Sequence, residues 1–423
     1  MTDLGWRYLR ARDKKEILRG VRDGVAYGGP YHVELHPADR CNIECFFCST
    51  AAIRGTDEIP LSRFQELLGE FQQAGTRAIR FAGGGEPLFH RKIKDLLRAV
   101  AESGIPIENI TTNAVLLDEE TAELLVKTCD QVTVSLNTGN AESYAAMMQT
   151  PARNFDRVLN NVRNLLRTRR TAGSRRPVVN LQFLVWRENY RDIPRMYELA
   201  CGLGVDTILF SGMSFLPIEK QMNDDEFAEM LRLYEEVIRI DEFRRVGVIS
   251  GFERNIDDDI AEIVHRLSAE RGRTGIFRRG MNFIRRRDYS LADKIRHHVR
   301  INKKTYSVAK VDEACMIGWY SMLVRSDGTV APCCILQHKR LGNVFTQSVA
   351  EVWQSETYQR FRKELTDIIH DGEQWVANPD SQTVEGVCAV KGTYLCPMKS
   401  FYFNGDTPFI QGLQATFADL KRA

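Results

Sequence analysis

The chain has 423 residues, of which 43% are hydrophobic and 27% charged, with a formal net charge of +2. That balance belongs to an ordinary globular protein and excludes disordered, collagenous and fibrous chains. Near-neutrality offers no whole-molecule attraction to nucleic acid or membrane.

The length suits one large α/β domain with a smaller one appended. Residues 1–12 carry charges throughout and lack the apolar centre of a signal peptide. No apolar run approaches the ~20 residues that span a bilayer. A cytoplasmic location is expected, where thiols stay reduced, so the ten cysteines read as metal ligands or core fillers and not as disulfides.

In chain order, short β-type runs at 32–36, 78–81, 109–112, 132–135, 178–185 and 207–210 alternate with amphipathic helices. Phe64, Leu67, Leu68 and Phe71 share one helical face, and Ile93, Leu96, Leu97 and Val100 another. Phe155, Val158, Leu159, Val162, Leu165 and Leu166 repeat the pattern. Asp118 and Asp192 stand where N-caps belong. Six β–α steps imply a parallel sheet with right-handed crossovers, and ligands at the carboxyl ends of its strands. Beyond 212 come a helix at about 224–240 and a basic stretch, 265–304, with thirteen Lys or Arg against three acidic residues. A hairpin turning at Asp327-Gly328, helices around 349–367 and a Cys-bearing tail follow. The expected division is an extension 1–30, the α/β unit 31–212, a connector 213–310 and a second domain 311–423.

Just past the first strand, Cys41, Cys45 and Cys48 lie within eight residues. Three thiolates on one loop suit a soft metal centre. A structural zinc wants four closed ligands, and no fourth is near. A [4Fe–4S] cube held by three thiolates keeps one iron open, which makes it a reactive site. After the second strand comes Gly83-Gly84-Gly85-Glu86-Pro87, a turn whose backbone can approach a ligand closely and whose carboxylate suits an ammonium. The third strand ends in Thr111-Thr112-Asn113 and the fourth in Ser135-Leu136-Asn137. These short polar side chains suit either a ribose or carboxylate, or the caps of the following helices.

The three cysteines, with the aromatic Phe47 before the last, resemble the signature of the radical S-adenosylmethionine (SAM) superfamily. The resemblance implies a partial (β/α)6 TIM-like barrel and a [4Fe–4S] cluster held by Cys41, Cys45 and Cys48. Its open iron chelates the amino and carboxylate groups of SAM. Reductive cleavage of SAM then gives a 5′-deoxyadenosyl radical that abstracts hydrogen from substrate. Gly84, Gly85, Glu86 and Pro87 match the family's Gly-Gly-Glu-Pro motif for the methionyl amino group. By the same resemblance Phe47, Asn113, Ser135 and Asn137 border SAM. Where many relatives carry an arginine for the SAM carboxylate this chain has Met147, leaving that charge to another residue, such as Arg187, or absent.

Cys315, Gly328 and Cys333 are spaced as in the SPASM and twitch extensions of that superfamily, which carry auxiliary [4Fe–4S] clusters. With Cys388 and Cys396 they provide four ligands, enough for one auxiliary cluster in a smaller α+β domain. Four cysteines also suit a structural zinc. Cys334 reads as a bystander, and Cys129 and Cys201 as buried structural thiols. The His297-His298 pair reads as solvated. The basic stretch suits either an anionic ligand or a solvated connector.

The resemblance implies a flavodoxin- or ferredoxin-type electron donor. Its members act on small molecules or on peptides and protein side chains. About thirty residues precede the first strand, with no place there for a leader-peptide recognition domain, so a small polar, sugar- or aminocyclitol-like substrate is expected. Oxidation, deoxygenation or epimerisation would be its fate, and a ribosomal peptide or protein side chain is the alternative. The chain ends Lys421-Arg422-Ala423 and not in the Gly-Gly of molybdopterin-cyclase relatives. A zinc-stabilised RNA-binding protein would leave the Gly-Gly-Gly-Glu-Pro turn without a role, so nucleic acid is not an expected partner.

Overall fold

The computed structural model describes residues 6–370 apart from 49, 213–221, 245, 251–315, 335 and 338. The basic stretch, the histidine pair, Cys315, Cys388 and Cys396 lie outside the described residues. After helix α1 (Ala11–Asp23) the six expected strands form: β1 (His32–Leu35), β2 (Ala78–Phe81), β3 (Ile107–Thr112), β4 (Gln131–Ser135), β5 (Val178–Val185) and β6 (Thr207–Gly212). Between them lie α2 (Leu61–Ala74), α3 (Ile93–Ser103), α4 (Glu119–Thr128), α5 (Ala141–Met148), α6 (Arg153–Thr171) and α7 (Ile193–Leu203). The strands pair in parallel and in sequence order. Two-residue alternation sends Val33, Leu35, Ile79 and Phe81 towards the helices, where Phe81 packs on Phe64 of α2. The apolar helical faces read from sequence are buried against them. Asp118 accepts from the Thr121 amide at 2.9 Å and caps α4 as expected. Asp192 precedes α7 without capping it, and instead accepts from Asn140 Nδ2 at 3.1 Å.

The sheet extends beyond six strands at both edges. After α8 (Asp224–Arg244), β7 (Val248–Ser250) adds in parallel to β6. On the other side β8 (Ser321–Val324) lies parallel to β1, although the paired positions are 289 residues apart. Antiparallel β9 (Thr329–Ala331) and β10 (Gly342–Asn343) continue outward. The order is β10-β9-β8-β1-β2-β3-β4-β5-β6-β7, an open sheet among the described residues.

The hairpin turns at Asp327-Gly328, with Gly328 at a φ of +79° as the turn requires. It is shorter than its sequence suggests, because Ile317–Tyr320 form a helical turn, α9, with all four residues buried. Then α10 (Val349–Trp353) and α11 (Glu356–His370) complete a small α+β segment on the β1 edge. It is tied to the parallel sheet by Arg63 of α2 donating to Val344 O at 2.8 Å and by Trp353 Nε1 donating to Gly28 O at 2.9 Å.

A fully buried arginine organises that segment. Arg362 of α11 donates through Nε to Gly318 O at 2.7 Å and through Nη2 to Trp353 O at 2.8 Å. Its guanidinium lies 4.5 Å from the Trp353 ring centroid and 4.6 Å from that of Tyr358. Burial lowers its pKa to about 10, so the charge persists at neutral pH. The expected result for Arg362→Met is a loss of about 2–4 kcal/mol in urea unfolding, because two buried carbonyls lose their donor. An unchanged urea midpoint would contradict this role.

Candidate active site

The inner face of the sheet carries most of the polar strand residues, interspersed with Leu184, Leu209 and Leu323. Towards the amino ends of the strands its groups join one another. His32 contacts Ser321 Oγ at 2.9 Å and Glu108 Oε2 at 3.0 Å. Thr133 donates to Asn109 Oδ1 at 2.9 Å, and Thr207 to Asn180 Oδ1 at 2.9 Å. The motifs singled out in sequence gather at the opposite, carboxyl ends, where parallel α/β sheets bind ligands.

The cysteine loop leaves β1 and is held at several points. Glu44 N and Phe46 N each donate to a carbonyl at the end of α5, Met148 O and Met147 O, at 3.3 Å. Phe47 stands edge-on to Phe46 with ring centroids 5.4 Å apart, and Phe46 packs on Trp186 at 4.8 Å. All three thiols are partly accessible. Cys41 Sγ is 3.9 Å from Asn113 Nδ2, Cys45 Sγ 3.7 Å from Met148 Sδ, and Cys48 Sγ 3.3 Å from Thr50 Oγ1. Burial pushes the Cys41 thiol up and the Cys45 thiol up to about 12, and neighbouring thiols add to both.

Among the described residues no three His, Cys, Asp or Glu side chains converge tightly enough for a single metal ion. Thiolates around one zinc stand about 3.8 Å apart, whereas a cube takes each thiolate on a different iron. Three neighbouring, partly accessible thiols therefore fit the open-iron cluster better than a zinc knuckle.

The Gly83–Gly85 turn meets this loop backbone to backbone. Gly85 N donates to Ala38 O at 3.1 Å and Glu86 N to Arg40 O at 2.9 Å. A Cβ on Gly84 would lie 2.5 Å from Asp39 Oδ1, and one on Gly85 would lie 2.1 Å from Arg40 O. The missing side chains thus let the turn pack directly on the cysteine loop. Thr50 links the two, donating to Gly84 O at 2.8 Å and accepting from Cys48 Sγ.

Glu86 is buried and accepts from Thr112 Oγ1 at 2.5 Å, Asn113 N at 2.7 Å and Leu88 N at 3.1 Å. No basic side chain pairs with it among the described residues, and burial lifts its carboxyl to about 7 despite the three donors. A buried carboxylate so placed suits an ammonium, the group that the methionyl end of SAM presents.

Asn113 joins both motifs, since its amide donates to Asn42 Oδ1 at 2.9 Å while its backbone serves Glu86. Ser135 is half-buried at the end of β4. Asn137, at a φ of +61°, is buried, and its amide is engaged with Leu184 N at 3.1 Å and Met148 Sδ at 3.8 Å. Met147 is buried with its sulfur accepting from Asn189 Nδ2 at 3.5 Å, while Arg187 turns outward to Glu226 at 2.9 Å. Sequence reasoning missed Thr50 and Met148, whose roles depend on which loops the fold apposes, and Thr112, expected to serve a ligand or a helix cap, donates to Glu86. Cys333 is buried and Cys334 half-buried near the end of β9. Cys129 is buried, donating to Gln131 O at 2.9 Å, and Cys201 is half-buried.

Two outcomes follow from this geometry. A carboxyl at about 7 when folded and about 4.5 when unfolded binds more protons in the fold between those values. Cofactor-free protein therefore loses about 3 kcal/mol from this group as pH rises from about 4.5 through 7. Glu86→Gln should remove that slope in denaturant titrations, and an identical slope in both proteins would refute the assignment. Gly85→Ala should weaken iron retention and lower the melting temperature by displacing the Asp39–Arg40 backbone; wild-type iron content would contradict the apposition.

The comparisons agree with this geometry. Residues 35–200 match the profile of the radical SAM superfamily, and residues 315–374 match that of an iron–sulfur cluster-binding domain, SPASM. A tungsten-containing aldehyde ferredoxin oxidoreductase cofactor-modifying protein of Pyrococcus furiosus is 23% identical over 351 residues, 78% of this chain and 83% of the relative. A GTP 3′,8-cyclase of Chlorobaculum tepidum is 34% identical over 139 residues, 32% of this chain and 41% of the relative. Among solved structures, Streptococcus suis SuiB bound to S-adenosylmethionine superposes with a TM-score of 0.56 at 18% identity, covering 82% of this chain and 71% of that one. The anSMEcpe structure with bound AdoMet and a peptide gives 0.54 at 14% identity, covering 93% and 99%. The likeness to these structures is one of fold. No helix among the described residues is long and apolar enough to cross a membrane. Cysteine triad, Gly-Gly-Glu-Pro turn and sheet agree with both profiles: the chain belongs to the radical SAM superfamily and carries a SPASM iron–sulfur cluster-binding domain, with SAM and [4Fe–4S] clusters as its cofactors.

Proposed function

We propose that the protein uses reductively cleaved SAM to abstract hydrogen from a small polar, sugar- or aminocyclitol-like substrate, as an oxidoreductase-type enzyme of a cytoplasmic biosynthetic pathway. The observation that carries this reading is the polar inner face of the sheet, which opens beside the cysteine loop with Arg80, Thr111, Ser135, Gln182 and Ser211 half-buried along it. A hydroxylated molecule would find many partners there, with Leu184 and Leu209 adding apolar contacts on the same face. Sequence likeness to a cofactor-modifying protein and to GTP 3′,8-cyclases supports the same substrate class. A peptide or protein side chain is the alternative, and a flavodoxin- or ferredoxin-type protein is the proposed electron source.

In this reading Cys41, Cys45 and Cys48 hold the catalytic cluster, and Glu86 takes the ammonium of SAM. Bound together, the cluster and SAM supply a radical that removes hydrogen from unactivated carbon, chemistry that belongs to the cofactors. The protein supplies orientation. Thr112 and the Asn113 amide fix the Glu86 carboxylate, so an ammonium enters a preset acceptor and needs no side-chain rearrangement. Phe46, Phe47 and Trp186 pack on one another and brace the aromatic part of the cysteine loop. Gly84 and Gly85 fit as the turn that sets Glu86 against the loop, Ser135 as a hydroxyl for the ribose, and Asn137 as a support of that strand end. Cys315, Cys333, Cys388 and Cys396 are proposed to hold one auxiliary [4Fe–4S] cluster.

Replacing Cys41, Cys45 and Cys48 together by Ala should abolish 5′-deoxyadenosine formation by anaerobically reconstituted protein while leaving the auxiliary iron. Stimulation of wild-type 5′-deoxyadenosine formation by small metabolites supports the substrate reading, and stimulation by peptides alone overturns it. Retained SAM cleavage in the triple variant would remove the cluster assignment.

A further inference from the structure

The inner face carries two kinds of polar group: some are mutually hydrogen-bonded, and others have no side-chain partner among the described residues. Arg80 on β2 is inward-facing, because Ile79 and Phe81 on either side pack towards the helices. Its Nε is buried without a hydrogen-bond partner among the described residues. Its neighbour across the sheet is Glu34 of β1, in register with it. Glu34 is itself bound to His36 Nε2 at 3.0 Å, and its carboxyl is held down to about 2 by His36 and by the charge of Arg80, against the cost of burial. The acid therefore stays ionised and positions the guanidinium electrostatically, with no ion-pair contact that would consume its donors. A half-buried guanidinium with its fork unspent is matched to an oxyanion.

On the other side of the same face, Ser135 of β4 and Gln182 of β5 are partners in register, both half-buried. Gln182 lies between Leu181 and Phe183, which are fully buried towards the helices, so its amide faces inward. Neither side chain has a hydrogen-bond partner among the described residues. A cation on β2 thus shares the inner face of the sheet with an amide on β5 and a hydroxyl on β4.

We propose that Arg80 and Gln182 are substrate-recognition residues for a compact hydroxylated molecule bearing an oxyanion, a phosphate or carboxylate, with Arg80 taking the oxyanion and Gln182 a hydroxyl. This rests on the small-substrate reading above and deepens it. Glu34 and His36 act through Arg80 as positioning residues. Nothing is transferred at this site; it selects the substrate and fixes which carbon lies beside SAM.

The test uses the full chain, anaerobically reconstituted and saturated with SAM, with inorganic phosphate, hexose 6-phosphate, the same hexose without phosphate, and citrate as probes in thermal-shift and calorimetric titrations. Wild type should bind hexose 6-phosphate or citrate saturably and the neutral hexose at least tenfold more weakly; the phosphate and citrate arms identify the oxyanion. Arg80→Met should lose at least tenfold in affinity for the charged probes and Arg80→Lys less, because charge survives without the fork. Gln182→Leu should weaken hexose 6-phosphate several-fold and leave inorganic phosphate unchanged. Arg98→Gln, a surface ion-pair residue, should match wild type.

The SAM-induced change in the cluster's electron paramagnetic resonance signal should persist in every variant, which separates lost recognition from lost folding. If Arg80→Met does not fold, Arg80→Lys carries the comparison. No saturable response of wild type to any charged probe, or equal affinity in Arg80→Met, overturns the proposal. The two readings fail separately. If a neutral metabolite stimulates 5′-deoxyadenosine formation equally in wild type and Arg80→Met, the small-substrate reading stands and the oxyanion site falls. If only peptides stimulate it, the small-substrate reading falls.

Discussion

The backbone contact between the Gly83–Gly85 turn and the Asp39–Arg40 segment is the constraint on which the rest of the site depends. Two amide hydrogen bonds close it, Gly85 to Ala38 and Glu86 to Arg40, at separations that no side chain on Gly84 or Gly85 would permit. It joins the ends of β1 and β2 so that one cysteine loop and one buried carboxylate share a single mouth. Thr50 adds a side-chain link across the same seam. A loop carrying three thiols is otherwise mobile chain, and the seam turns it into a fixed ligand set.

Burial within that mouth then sets the electrostatics. Glu34 on β1 and Glu86 in the turn after β2 are both buried carboxyls, yet their proton affinities diverge, to about 2 and about 7. Glu86 receives only uncharged donors, which do not offset desolvation. Glu34 has a histidine at 3.0 Å and an arginine in register beside it, and opposite charge outweighs the same desolvation. One carboxyl suits an incoming ammonium, and the other holds a cation that the protein already owns. Radical chemistry is undemanding of acid–base groups but exacting in position, and a wall of fixed polar groups meets that demand.

The C-terminal hairpin makes the SPASM region structurally continuous with the catalytic sheet. β8 extends the sheet alongside β1, with Tyr31 N donating to Tyr320 O at 3.0 Å and His36 N to Val324 O at 2.9 Å. Cys333 follows two residues after β9, so one proposed ligand of the auxiliary cluster is anchored to the same sheet as the cysteine loop, with β8 between β9 and β1. Arg362, sealed between Trp353 and Tyr358, fixes α11 to the helical turn that leads into β8.

Much was legible in the sequence. The six central strands form where alternating and β-branched runs placed them, because a sheet covered by helices requires those periodicities locally. The cysteine spacing and the Gly-Gly-Gly-Glu-Pro turn named the cofactor chemistry, since metal chelation and tight turns depend on neighbours along the chain. Tertiary structure decided what arises between distant residues. It put β8 on β1, joined His32 to Ser321 and took Arg187 away to Glu226. It also engaged the Asn137 amide internally and left Arg80 Nε and the side chains of Ser135 and Gln182 without hydrogen-bond partners among the described residues on one face of the sheet. Side-chain direction on a strand follows from alternation, but whether a polar group finds a partner depends on what the opposite strand presents, and that is a property of the folded chain alone.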